Sequence, residues 1–212
     1  MPARLVVLAS GAGTTLQAIL DACRAPSFGA DVVAVGTDRP GTRAEARAAE
    51  AGVPTWIVPL SDFASRSDFD RAVAGRLAED RPDLVVLAGY MKVLGPEVVR
   101  EFRIVNTHPS LLPAFPGGHA IRDALAYGVR VTGCTVHEVD EGVDTGPVLA
   151  QAPVPVLPDD TEDMLRARIQ AVERGLYVET IGRLVDQLAG RVPAVVAVPG
   201  DEAGERSPEG RT

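Results

Sequence analysis

A rhythm constrains this chain more than any other feature. Short apolar runs rich in β-branched residues alternate with helical stretches through the first hundred residues. The runs cover residues 5–8, 32–35, 56–58 and 84–88, and the stretches between them, 14–24, 44–51 and 68–79, carry helical spacing. Runs apolar at nearly every position suit strands covered on both faces. Alternation of strand and helix then calls for a mainly parallel sheet with right-handed crossovers, an α/β, Rossmann-like three-layer architecture. A chain of 212 residues can bury such a core in one domain.

Beyond residues 104–107, a further strand, the texture changes. The segment HPSLLPAFPGGH, residues 108–119, holds three prolines and two glycines, so it must be a structured loop. Strands over 131–139 and 148–156 flank an acidic turn at 140–146. A helix over 161–188 opens on the capping pattern Thr161-Glu162-Asp163. These elements make one domain over residues 1–199, with a nucleotide-binding half to about residue 100 and a catalytic half after it. Residues 200–212 lack apolar periodicity and read as a disordered tail.

Charge and cysteine content narrow the function. With 21 basic and 29 acidic side chains the net charge is −8, which argues against a nucleic-acid surface built on clustered Lys and Arg. An anionic ligand must therefore be held by a local device. No secretory signal is visible, and no apolar run approaches the roughly 18 residues of a membrane span. Cys23 and Cys134 are too few and too far apart for a disulfide framework. The expectation is a cytoplasmic protein acting on small molecules, with neither nucleic acid nor membrane as partner and with a homodimer as an allowed assembly.

Three constellations carry chemistry. The first, Ser10-Gly11-Ala12-Gly13-Thr14-Thr15, follows the first strand and opens a helix. Glycines admit close backbone approach, and free amides at a helix start favour an anion. Leu16 stands where the dinucleotide fingerprint needs its third glycine, and a tight turn needing φ > 0 explains the glycines nearly as well. The second is Asn106-Thr107-His108-Pro109-Ser110, at the carboxyl end of a strand, where open parallel sheets bind ligands. A spacing of two directs Asn106 and His108 to one side of an extended segment, so an oxyanion donor and a proton carrier stand together. Taken singly, the histidine reads more readily as a brace for the Pro-rich loop. The third is the turn from Asp140 to Gly146 with Asp140, Glu141 and Asp144. A carboxylate near an imidazole stabilises the imidazolium, although a solvated acidic turn is the common fate of such clusters. Cys134 and His137 resemble half a zinc site, but they lack a second close pair and their odd spacing sets them on opposite strand faces. No metal is expected. Thr135 and His137 share one face and are expected to line the pocket with His108.

Together these segments resemble the glycinamide ribonucleotide formyltransferases, folate-dependent enzymes of purine synthesis. The likeness runs from about Arg4 to Leu188. It is carried by VLASGAGTTLQAIL, VVLAGYMKVL, NTHPSLLPAFPGGHAIRDAL, TGCTVHEVDEGVDTGPVLAQ and DDTEDMLRARIQAVERGLY. The resemblance implies a formyltransferase fold and the transfer of the formyl group of 10-formyltetrahydrofolate to the primary amine of glycinamide ribonucleotide. Asn106, His108 and Asp144 then fall on the family's catalytic Asn, His and Asp. Gly13, Thr14 and Thr15 would take the substrate phosphate, and Glu173 the substrate amine region. Folate contacts would come from Arg66, from Met91, Lys92, Val93 and Leu94, from Asn106, and from the turn Asp140, Glu141, Gly142, Val143 and Asp144. No metal, covalent intermediate or nicotinamide is required. The loop departs from the family's frequent G-N-G-S-N, and Lys92 replaces a frequent Arg, keeping the charge without the planar fork.

Two other formyl-folate enzymes share parts of these motifs. A methionyl-tRNA formyltransferase carries a further basic C-terminal domain, for which 212 residues at net −8 are expected to leave no room. A deformylase normally carries an extra N-terminal regulatory domain, and here the first strand starts at Arg4. A non-catalytic nucleotide-binding regulator would explain the glycine loop but not Asn106, His108 and Asp144 together.

Overall fold

A computed structural model describes residues 1–192. Seven strands form one sheet: β1 (Ala3–Ala9), β2 (Ala30–Thr37), β3 (Thr55–Ile57), β4 (Leu84–Leu87), β5 (Ile104–His108), β6 (Val131–Glu138) and β7 (Val148–Pro155). Their order is β3-β2-β1-β4-β5-β6-β7. β3 to β5 run parallel, and β6 and β7 close the other end antiparallel. The expected α/β, mainly parallel three-layer architecture is what the chain adopts. The strand runs expected from apolar patterning fall on β1 to β7, and the end of the chain expected as a tail, with residues 193–199 before it, lies outside the described residues.

Helices cover both faces. They are α1 (Thr14–Cys23), α2 (Arg43–Glu50), α3 (Arg66–Asp80), the single turn α4 (Pro96–Val99), α5 (Ala120–Tyr127) and α6 (Glu162–Leu188). Because strand side chains alternate, β1 feeds two cores. Leu5, Val7 and Ala9 join α1 and α6 residues such as Leu16, Tyr177 and Ile181. Val6 and Leu8 join α3 residues Phe69, Val73 and Leu77 on the other face. The 27-residue α6 is capped as its sequence indicates, with the Thr161 hydroxyl accepting from the Met164 amide at 3.2 Å. The buried Tyr177 hydroxyl bonds the carbonyl oxygens of Leu87 and Val105 at 3.1 and 2.8 Å. That pins α6 across β4 and β5, at the carboxyl end of β4.

The alternation at β5 positions everything that follows. Val105 packs towards α6, while Ile104 packs towards α3 and α4. Thr107 therefore faces the α6 side, and Asn106 and His108 face the other. The antiparallel register sets His137 opposite Asn106 and Thr135 opposite His108, so four polar side chains crowd one face of the β5–β6 pair. The short α4 and the helix α5 were not visible as apolar periodicity, the first being one turn and the second following directly on the Pro-rich loop.

Candidate active site

Two neighbouring constructions share the end of β5. The first is a cavity of about 330 Å3 on the α6 side. One wall is the turn Ser10 to Thr15; the other is an α6 face presenting Arg166, Ile169, Gln170 and Glu173; Thr107 and Pro109 close the end nearest β5. The turn is built with little freedom. Gly13 caps α1 at φ 66°, and a Cβ there would stand 2.8 Å from the Ala44 Cα, so only glycine fits. α2 buttresses the turn from behind. The Ala44 amide donates to Gly11 O at 3.1 Å, and the Arg47 guanidinium donates to Ala12 O at 3.0 Å. The tight-turn explanation of the glycines thus holds at Gly13. No side chain caps α1, and its first turn holds no acidic residue, so its leading amides are free to receive a ligand.

Ser10 accepts the Met91 amide on its hydroxyl at 2.8 Å. This ties the glycine turn to the segment after β4. Lys92 turns its ammonium to Asp38, at 3.1 Å. Burial pushes the Asp38 carboxyl up, but hydrogen bonds from Lys92 and Ser10 and the charges of Arg39 and Lys92 hold it below the usual carboxylate range. In Glu173 burial prevails: it raises the carboxyl to about 7, with Arg174 only partly opposing it.

The second construction is a hydrogen-bonded chain of side chains. The His137 Nδ1–H donates to Glu138 O at 2.8 Å, which leaves Nε2 to accept from the Asn106 amide at 3.2 Å. Asp144 bridges the two histidines. One carboxylate oxygen lies 3.5 Å from His137 Nε2, and the other lies 3.2 Å from His108 Nδ1. The second oxygen also accepts the Gly117 amide at 2.7 Å. Burial pushes the Asp144 carboxyl up, yet the Gly117 amide and the charge of His108 keep it below its ordinary value. His108 Nε2 lies 2.8 Å from the carbonyl oxygen of Phe115. Carboxylate and carbonyl can only accept, so both contacts are filled at once when both ring nitrogens carry hydrogen. Sequence spacing left open whether Asp144 reaches His108, and the fold brings them together.

The acidic turn achieves this through strain. Asp144 sits at φ 57°, a left-handed conformation that aspartate tolerates better than most residues. A Cβ at Gly146 would stand 1.9 Å from Glu138 O, so glycine is required where the turn re-enters β7. Asp140 accepts from the Gly142 amide at 3.0 Å and the Thr145 hydroxyl at 2.7 Å, and Glu141 pairs with Arg100 at 2.6 Å. Asp140 and Glu141 therefore shape and anchor the turn, while Asp144 alone of the three carboxylates enters the network.

Thr135 does not line the cavity with His108 as its strand face suggested. It is fully buried and braces the Pro-rich loop. Its hydroxyl donates to Ser110 O at 2.7 Å and accepts from the Leu112 amide and Gln151 Nε2, each at 3.0 Å. Cys134 packs among Ile121, Val154, Leu165 and Ile169, apart from His137. On the α3 side, Arg66 lies over the Phe69 ring at 4.9 Å and pairs with Asp70 at 3.3 Å. It shares an open hollow with Val93 and Gly95, while Leu94 is buried in the core beneath. The residues expected to contact folate are thus scattered: Arg66 and Val93 at this hollow, Asp140 to Asp144 in the turn, Asn106 in the side-chain network, Met91 in the wall of the α6-side cavity and Lys92 on Asp38. Phe115 O, the Gly117 amide, Arg39, Arg166 and Gln170 join the site without having been expected there. The first two are backbone groups without a side-chain signature, but Arg166, Gln170 and Glu173 repeat at helical spacing and were legible.

Comparison with known proteins follows this geometry. The formyl transferase family profile matches residues 3–181. Phosphoribosylglycinamide formyltransferase of Mycobacterium tuberculosis is 55% identical over 185 residues, covering 86% of this chain and 85% of that protein. The trifunctional purine biosynthetic protein adenosine-3 of Drosophila melanogaster is 46% identical over 196 residues, 91% of this chain and 14% of that one. Glycinamide ribonucleotide transformylase 1 from Symbiobacterium toebii superposes with a TM-score of 0.85 at 48% identity, covering 87% of this chain and 88% of that one.

Proposed function

Because the chain belongs to the formyl transferase family, we propose that it formylates the primary amine of glycinamide ribonucleotide for purine biosynthesis, taking the formyl group from 10-formyltetrahydrofolate and releasing tetrahydrofolate. The single observation that carries the reaction is the connected chain Asn106, His137, Asp144 and His108 beside a cavity built for an anion. The ribonucleotide enters the α6-side cavity with its phosphate at Gly13, Thr14 and Thr15 and its amine end towards Glu173 and β5. The folate-type donor approaches from the α3 side. The hollow at Arg66 and Val93 and the turn at Asp144 suit a flat ring system with an anionic tail.

Attack of the amine on the formyl carbon places negative charge on the formyl oxygen. The second N–H of the Asn106 amide and the His108 Nε2–H are the donors for it, a contribution of about 3–4 kcal/mol for one well-placed donor. Asp144 fixes the His108 ring and balances its positive charge. His108 then passes a proton towards the departing folate nitrogen, directly or through water, and the proton lost by the attacking amine restores the imidazolium. Phe115 O occupies Nε2 in this conformation, so the Pro-rich loop must release His108 before the donor group reaches the substrate. The cytoplasm, where both cysteines stay reduced, is the compartment this chemistry suits, and no helix among the described residues is long and apolar enough to cross a membrane.

The test is folate product formation with and without glycinamide ribonucleotide. Product that forms only with the ribonucleotide is expected. Formate release without any acceptor would replace this reading with a deformylase, and ligand binding without turnover would replace it with a regulator.

A further inference from the structure

Main-chain amides and hydroxyls at Gly13, Thr14 and Thr15 can orient a phosphate, but they bring no formal positive charge to a chain of net −8. Among the described residues, the cations lining the cavity are Arg39 and Arg166. Arg166 lies on α6 four residues before Gln170 and seven before Glu173, so the three share one helix face. Seven residues correspond to a rise of about 10 Å. The α6 wall of the cavity therefore carries a guanidinium about two turns from a buried carboxyl. A ligand with a phosphate at one end and an amine at the other fits that polarity in one orientation only.

Each arginine is held by an acid that does not depend on it. Arg166 pairs with Glu162, one turn earlier on α6. That pair is nearly half exposed on both sides (44% and 46%), so solvent screens it and little is lost when it opens. Arg39 pairs with Asp38 at 3.4 Å, but Lys92 also serves Asp38, at 3.1 Å. Among the described residues, the Thr107 hydroxyl, another cavity-lining group, is buried without a hydrogen-bond partner, an open position for a ligand oxygen.

We propose that Arg166 is the phosphate-specificity residue of this site, exchanging Glu162 for the 5′-phosphate of the ribonucleotide, with Arg39 as a second cation. A guanidinium forms paired, charge-assisted hydrogen bonds with phosphate that it cannot form with an uncharged ribose. The exchange swaps one carboxylate partner for a dianion already held by the loop amides. This inference rests on the ribonucleotide reading for the identity of the acceptor, but it concerns binding alone and can be measured without turnover.

The experiment is calorimetric titration of the full chain with ribose 5-phosphate and with ribose. Wild type is expected to prefer the phosphorylated sugar. Arg166→Leu should lose that preference by about tenfold or more, as for hydrogen bonds to a charged group, Arg166→Lys should recover part of it, and Glu162→Gln should bind ribose 5-phosphate as tightly as wild type or more so. Arg166 is exposed enough for these variants to keep the fold, which circular dichroism checks. Unchanged discrimination in Arg166→Leu, or no wild-type preference for the phosphate, would overturn the proposal. Loss of formyl transfer to glycinamide ribonucleotide in wild type with ribose 5-phosphate binding intact would instead overturn the assigned reaction and leave this clamp standing.

Discussion

The two sides of β5 are built on opposite plans. On the α6 side the cavity wall is backbone, fixed by a glycine that accepts no side chain and buttressed by Ala44 and Arg47 from α2. Its free amides stand ready for a ligand. On the other side the reactive groups are side chains already satisfied by the protein itself. His108 is held between Asp144 and Phe115 O, and Asn106 donates to His137. On the proposed reaction, binding is preorganised while chemistry waits for the Pro-rich loop. One strand serves both because its alternation sends Thr107 to one side and Asn106 and His108 to the other.

That contrast breaks most severely at the side-chain network. Asp144→Asn and His108→Ala should each lower turnover by about 10²–10⁴-fold, the usual range for a lost proton-transfer group, with little change in ribonucleotide affinity. Steady-state kinetics with each substrate varied checks this, and a pure KM effect would merge the two sides into one. On the backbone side Gly13→Val forces a β-branched residue into a left-handed turn against Ala44. Thermal unfolding should show a loss of about 2–4 kcal/mol together with weakened binding of the ribonucleotide.

Glu173 sharpens the comparison through pH. Its carboxyl is raised from 4.5 to about 7 in the folded protein, so folding takes up a proton between those values. Stability from this group is complete below pH 4.5 and is lost as pH rises through 7, by on the order of 3 kcal/mol. Denaturant titrations from pH 5 to 8 should show that decline in wild type and a flatter profile in Glu173→Gln. Equal slopes would mean that the carboxyl is not buried as described. Smallest is Thr135→Val, which removes the brace of the Pro-rich loop. It should cost about 1–2 kcal/mol for the orphaned Leu112 amide and Gln151 and should speed hydrogen exchange in residues 110–117 without altering the glycine turn.

Much of this was legible in the chain because it rests on local pattern. The buried strands declare themselves as apolar runs, α6 by its Thr161 cap, and the pairing of Asn106 with His108 by a spacing of two. What could not be read rests on long-range register or on backbone atoms. Nothing local announces that Asp144 meets His108 thirty-six residues away. The contact depends on the β5–β6 register and on a turn that holds Asp144 at φ 57°. The Phe115 carbonyl is invisible to any side-chain argument. Lys92 shows a third limit: its charge was legible, but not its commitment to Asp38, which lies at the end of a different strand. Thr135 lies on the face its strand spacing gives, yet its hydroxyl is consumed by the loop.

The central claim, that binding and chemistry are separately built, is tested most directly by a paired measurement on Asp144→Asn. Ribonucleotide affinity is taken from calorimetry, and the rate of formyl transfer from a single turnover with both substrates saturating. The account predicts wild-type affinity with a transfer rate lowered by about 10²-fold or more. A variant that transfers formyl at the wild-type rate, or one that loses ribonucleotide binding along with the rate, would contradict it.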